Sequence, residues 1–321
     1  MPSSSAVQVS VPISAFASGY TNSAFIAEQL CPVIPVDFPK GTYFSKSKVD
    51  VATAYDDLGG QESEASTIDY ATTQTNFVCL DRMLQAFIPW KVIRAAQDPL
   101  KPREAYAANV MQRLLLKQEI RVATLLQTTG NFASSNTSAA AAKWTDEVLG
   151  APVKDIQTMI AAISPGDPGT TKLVMGLGLE AWQALARHPQ VLGLRPGGGL
   201  SGGVASTKEV AGYLGLDDIV VSDVVKNTAA RGATATYVRC WDTTKAVVVR
   251  VPTKVPDFNE NLSLFSCMFR YRAPDQMPFV AIEWDEPKRG PGTGSIGVKI
   301  THSTIENVIQ NDMGYCLTTV T

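Results

Sequence analysis

Three glycine-containing stretches and two histidines are the residues of this chain that could do chemistry. Gly176-Leu-Gly178-Leu-Glu-Ala181 follows an apolar run and opens a helical pattern. A dinucleotide-binding loop does the same, because glycines let the backbone approach a pyrophosphate at a helix start. That loop also needs an acid about twenty residues on for the ribose. Here that region, near residue 197, is glycine-rich and holds no acid. Gly292-Thr-Gly294-Ser-Ile-Gly297 repeats the spacing, but a strand pattern follows it. Gly199-Leu-Ser201-Gly-Gly203 fits a nucleophile elbow, which needs a strand before it and a histidine after it. Glycines precede this one, and of the two histidines, His188 and His302, only His302 follows. No cysteine or carboxylate cluster accompanies either histidine at ligand spacing. The residues therefore predict no catalytic centre, no cofactor and no metal. They predict a plain strand–helix turn at 176–181, a glycine-rich loop at 193–203 and a helix-end role for His188. A dinucleotide-binding enzyme stays as the lesser alternative.

Composition narrows the class. The chain has 321 residues, 45% of them hydrophobic and 18% charged, with a formal net charge of −2. That length supports a sizeable core in two lobes. The charge argues against a dedicated nucleic-acid binder, which carries a strong basic excess. Cys31, Cys79, Cys240, Cys267 and Cys316 are scattered singly, as reduced thiols are, and show no disulfide spacing. The first residues lack a signal-peptide pattern, and no apolar run is long enough to span a membrane.

The dominant element is Pro102 to Thr129, read as one helix of about 40 Å. Met111, Leu114, Leu115, Val122, Leu125 and Leu126 form one apolar stripe, and Leu116, Ile120 and Ala123 a second, so the helix packs against two layers. Gly130 and Asn131 are expected to stop it by taking the left-handed conformation. Residues 1–35 read as an extended arm with a short helix over Asn22 to Leu30 and too little apolar density for a core of its own. Residues 36–80 read as a long polar hairpin, marginal in isolation. It holds Asp50, Asp56, Asp57, Glu62, Glu64 and Asp69 against Lys40, Lys46 and Lys48. Residues 81–101 lead into the long helix. Helices are expected at 153–163, 179–188 and 206–214. Strands are expected at 172–175, 218–222, 246–251, 265–271, 279–284, 298–301 and 314–319. Helices and strands mix without a regular βαβ repeat, which makes the class α+β.

This order of parts resembles the major capsid proteins of tailed bacteriophages, with their HK97-like fold. The local patterns are Phe38-Pro-Lys-Gly-Thr-Tyr-Phe44, Arg113 to Ala123, Leu173-Val-Met-Gly with Glu180-Ala-Trp182 and His188-Pro189, Tyr213 to Asp217, and Asp312-Met-Gly-Tyr315. The resemblance implies an N-arm at 1–35 and an extended E-loop at 36–80. It implies a peripheral P-domain at 81–150, with its spine helix at 102–129, completed by C-terminal strands at 295–321. The axial A-domain is then 151–294.

The implied function is a structural, non-enzymatic shell subunit. It would self-assemble into hexamers and pentamers around double-stranded DNA, in a virion built in the bacterial host cytoplasm. Implied partners are a separate scaffold protein and a portal, with room for a decoration protein and none for a membrane. The shell of an encapsulin-type nanocompartment is the alternative on the same fold. Lys48, Asp50, Asp56, Asp57, Glu62 and Glu64 are the expected inter-subunit hairpin residues. Residues 91–121 hold seven basic and three acidic residues. In relatives the spine helix faces inward, so Arg113, Lys117 and Arg121 are the candidate contacts to DNA, blind to base sequence.

Overall fold

A computed structural model describes residues 8–46, 67, 72–98, 100–165, 169–194, 206–230, 232–258, 262–273, 277–289 and 294–321. Its first segment is β1 (Gln8–Val9), α1 (Val11–Gly19), α2 (Ala27–Leu30) and β2 (Val33–Val36). Helix α1 falls where an extended arm was expected. Pro12 sits in its first turn, where the missing N–H costs nothing. Ile13, Ala17, Ile26 and Leu30 are buried, so the arm rests on its own chain. Asn22 does not cap a helix; its side chain accepts from Ala24 N in a local turn, and α2 starts later.

The hairpin follows as β3 (Lys40–Lys46) and β4 (Thr72–Val78), paired antiparallel from Lys40–Val78 to Lys46–Thr72. Its base stands on an aromatic cluster. Phe77 stacks on Phe269 at 4.6 Å, and Tyr43 lies 5.2 Å from the same ring. Leu262 N donates to Phe44 O, which pins the hairpin to a second segment of the chain.

Next come β5 (Leu80–Pro89), α3 (Trp90–Ala95) and α4 (Leu100–Gln127). Strand β5 replaces the expected lead-in at 81–101. Helix α4 begins where Asp98 Oδ1 accepts from Leu100 N at 2.9 Å. Its end differs from expectation: no left-handed residue stops it. The Asn131 side chain donates to Leu125 O at 2.7 Å and satisfies a carbonyl of the last turn. The two expected layers are met at the two ends of the helix. Val110, Met111 and Leu114 join Ile88, Ala281, Ile296, Val298 and Ile300. Val122, Ala123 and Leu126 join Val174, Val247, Val249 and Phe265.

The remaining elements are β6 (Thr137–Ala139), α5 (Pro152–Ala162), β7 (Thr171–Gly178), α6 (Leu179–Arg187), α7 (Pro189–Gly193) and α8 (Thr207–Leu214). After them come β8 (Asp218–Ser222), β9 (Val225–Asn227), β10 (Tyr237–Arg239), β11 (Ala246–Pro252), β12 (Ser266–Tyr271), β13 (Val280–Glu286), β14 (Ser295–Val308) and β15 (Gly314–Thr318). They make two larger sheets. One runs β1-β13-β14-β12-β2, with β5 on the far side of β14; the other runs β6-β15-β11-β7-β8. The expected short strand at 298–301 is the middle of β14, which carries β5 along one edge and β13 then β12 along the other.

Sheet membership cuts across the boundaries expected from sequence. β12 and β13 lie within 151–294 yet share a sheet with β5 and β14. β15 lies within 295–321 yet pairs with β11. Hydrogen-bond ladders, which chain order does not reveal, decide which strands share a sheet.

Candidate functional site

The glycine pattern at 176–181 is occupied by packing. Gly176 lies in β7, flanked by Val247 of β11 and Val220 of β8. A Cβ there would stand 2.6 Å from Leu30 Cδ1, so the arm's leucine fills the place a pyrophosphate would need. A Cβ on Gly178 would stand 3.3 Å from the Thr243 backbone. Gly297 is covered by the Trp284 ring, and Gly294 takes a positive φ of 77° that joins β13 to β14. The Gly199–Gly203 pattern lies outside the described residues.

His188 caps α7: its Nδ1 accepts from Gln190 N at 3.3 Å, and Nε2 meets Asp146 O at 3.3 Å. His302 is buried edge-on to Phe279. Among the described residues, no group of three or more His, Cys, Asp or Glu could hold a metal ion. All five cysteines are unpaired and buried. Burial pushes Cys31 up to about 12 and Cys79 and Cys316 to about 11, which keeps them as unreactive thiols. No described helix is long and apolar enough to cross a membrane.

The spine helix carries one polar junction that the sequence did not announce. Glu119 is one of the three acids among the seven basic residues of 91–121, yet it is fully buried. Its carboxylate accepts from Ile26 N at 3.3 Å, Ala27 N at 2.9 Å and Trp241 Nε1 at 2.6 Å. It thereby joins the arm, the spine and the segment ahead of β11 at one point. Burial raises its pKa, and these bonds offset part of the rise.

Of the candidate DNA contacts, Arg113 and Lys117 are exposed one turn apart on α4. Arg121 continues that stripe but is committed within the chain, with Nε and a terminal nitrogen 2.9 and 2.7 Å from Glu306 Oε1. The hairpin residues Lys48, Asp50, Asp56, Asp57, Glu62 and Glu64 lie outside the described residues.

The larger feature is apolar and lies around the hairpin root. Phe38 is 69% exposed and Met83 53%, with Phe44, Val78, Leu80 and Leu84 also open. Among the described residues, strand β5 pairs only with β14. A second apolar point is Val148 and Leu149, 87% and 71% exposed. This loop is held in place. Asp146 Oδ1 accepts from both backbone N–H groups, at 2.9 and 3.0 Å, and Gln190 donates to Gly150 O. Large exposed apolar surfaces mark contacts with other molecules.

No protein-family profile matches the chain. The major capsid protein of Pseudomonas phage JBD67 is 22% identical over 231 residues, 71% of this chain and 73% of that protein. A phage-related protein from Bordetella bronchiseptica RB50 superposes with a TM-score of 0.74 at 15% identity, covering 98% of both chains. The capsid of Cyanophage P-SCSP1u superposes with a TM-score of 0.55 at 11% identity, over 94% of this chain and 89% of that one. In sequence the chain is thus similar to a phage major capsid protein, and over nearly its whole length it has the HK97-like fold of these solved structures.

Proposed function

We propose that this chain is the structural subunit of an icosahedral phage head, assembling with copies of itself into hexamers and pentamers that enclose double-stranded DNA. The observation that carries this reading is the set of exposed apolar side chains on the elements at the hairpin root, Phe38, Phe44, Val78, Leu80, Met83 and Leu84. A chain that stood alone would gain about 1.5–3 kcal/mol for each large apolar side chain it buried. A closed symmetric shell covers such side chains on every copy. The role is structural rather than catalytic, and the working place is the virion.

Within that reading, residues 1–35 are the N-arm and 36–80 the E-loop. The spine helix α4, β5 and β14 form the P-domain, to which β12 and β13 belong by pairing. The second sheet with α5, α6 and α8 forms the A-domain. Lys48, Asp50, Asp56, Asp57, Glu62 and Glu64 contact a neighbouring subunit. Arg113 and Lys117 are the basic groups open to DNA phosphates, and Arg121 positions α4 through Glu306. A separate scaffold and a portal serve assembly.

An encapsulin-type nanocompartment has the same fold; the phage capsid relative in sequence favours the phage reading. Deletion of residues 48–69 tests the assembly role. The shortened chain stays soluble and forms no shells. Full-sized shells from that deletion would overturn it.

A further inference from the structure

Beneath the middle of α4 the sheet surface stops being apolar. Strand β14 directs Ile296, Val298 and Ile300 into the core, and the next residues on that face are His302, Thr304 and Glu306. Strand β5 sets Arg82 opposite His302, and β12 sets Arg270 opposite Thr304. Helix α4 adds Gln118 and Arg121. Three guanidiniums therefore meet in one layer. Two of them have carboxylates: Arg121 holds Glu306 at 2.7 Å, and Arg270 holds Glu28 at 2.8 Å at the rim. No carboxylate pairs with Arg82 among the described residues.

The same layer contains buried polar atoms without hydrogen-bond partners. They are Arg82 Nε, Arg270 Nε, both ring nitrogens of His302, and Thr304 Oγ1. His302 and Thr304 are almost wholly buried. Leaving such atoms unpaired in a buried layer is costly, so a cluster of them points to a bound species. Burial and the guanidiniums of Arg270, Arg121 and Arg82 bring the His302 pKa down to about 3. The ring is neutral and offers one N–H. Every residue in the set can then donate: two guanidinium N–H groups, one imidazole N–H and one hydroxyl.

A water molecule could pair with the one acceptor nitrogen of His302 and with the Thr304 hydroxyl, but it leaves the charge on Arg82 unmatched. An anion brings acceptors only, and it also matches the charge left on Arg82. We infer that this layer binds one small inorganic anion between β5, β14 and β12 under α4, held by Arg82, Arg270, His302 and Thr304. The neighbouring cavity of about 160 Å³ between arm and spine shares Arg270 with the layer. Its Glu28 and Glu119 carboxylates repel an anion, which places the ion on the His302 side, where the carboxylate of Glu306 is held by Arg121.

Chloride and phosphate share the required chemistry. Melting temperature is measured with gluconate, too large to enter, replaced by chloride or by inorganic phosphate at constant ionic strength. The expected result is a saturable rise with at least one of the two. Thr304→Val keeps shape and charge and removes one donor. It should raise the half-saturating concentration at least tenfold while leaving the melting temperature in gluconate equal or higher. Arg82→Gln should abolish the rise. An identical wild-type melting temperature in all three salts would overturn the site. So would Thr304→Val lowering the melting temperature equally in all of them, which is the behaviour of a water-filled layer.

Discussion

Leu30→Ala and Gly176→Ala, made singly and together, test whether the glycine pattern of β7 exists for packing. Leu30 is fully buried, and its Cδ1 would lie 2.6 Å from a Cβ at position 176. Gly176 cannot retreat, because β7 is bonded on both sides, to β11 and β8. Truncating Leu30 opens a cavity in the core and costs about 2–5 kcal/mol. Adding a methyl at 176 overpacks the same spot and costs about 1–3 kcal/mol. The double variant places the new methyl in the cavity left by the leucine. Its loss should fall below the sum of the single losses by about 1–2 kcal/mol, within the range of contacting pairs. Urea unfolding of the three variants beside the parent chain, under one buffer and one assembly state, reads this coupling. Additivity to within about 0.5 kcal/mol would show that Leu30 does not lie on Gly176. The arm would then have to be placed elsewhere, and the loop at 176–181 would again be free for a ligand.

Two further predictions concern charge. Glu119→Gln leaves one of three donors facing an amide nitrogen and should cost about 1–3 kcal/mol near neutral pH. Because burial raises the folded pKa of Glu119, the parent chain takes up a proton more readily than its unfolded state. Its contribution is fullest below the unfolded value and declines as pH rises through the folded one. The gap between parent and Glu119→Gln therefore widens as pH falls toward 4.5, in denaturation midpoints measured across pH; a gap that narrows would contradict the burial. Arg113→Gln with Lys117→Gln should leave normal shells that retain DNA less well and with a flatter salt dependence, by about 0.9 in log–log slope per lost phosphate contact. Unassembled protein from that pair would show the two residues to be assembly contacts instead.

What the sequence disclosed depended on periodicity. The spine helix was legible because Met111, Leu114, Val122 and Leu126 recur at helical spacing. Ala246 to Val251 was legible because a short run of valines has few uses besides a buried strand. Strand β5 was not, since Leu80-Asp81-Arg82-Met83-Leu84 mixes charge and apolar residues on a strand that is mostly exposed. Helix α1 was hidden by Pro12 and by serines that read as loop. Only the middle of β14 was visible, because His302, Thr304 and Glu306 put polar residues on a buried face. Glu119 looked solvated, as buried carboxylates do in any pattern that counts charges without their partners. Sheet order, and so the grouping of β12 and β13 with β5 and β14, lies in long-range pairing that no local window contains. For the same reason the exposed apolar residues of β5 emerged only with the strand in place, since among the described residues it pairs with β14 alone.

The central claim is that copies of this chain close into a shell around DNA. Electron microscopy of particles purified from cells producing the chain with its assembly partners, followed by nuclease treatment and extraction, tests it most directly. The account predicts closed icosahedral shells with hexameric and pentameric capsomers and nuclease-resistant double-stranded DNA inside. Particles that enclose protein cargo and no DNA would contradict the phage-head reading, and a chain that remains a monomer at high concentration with those partners present would contradict the shell itself.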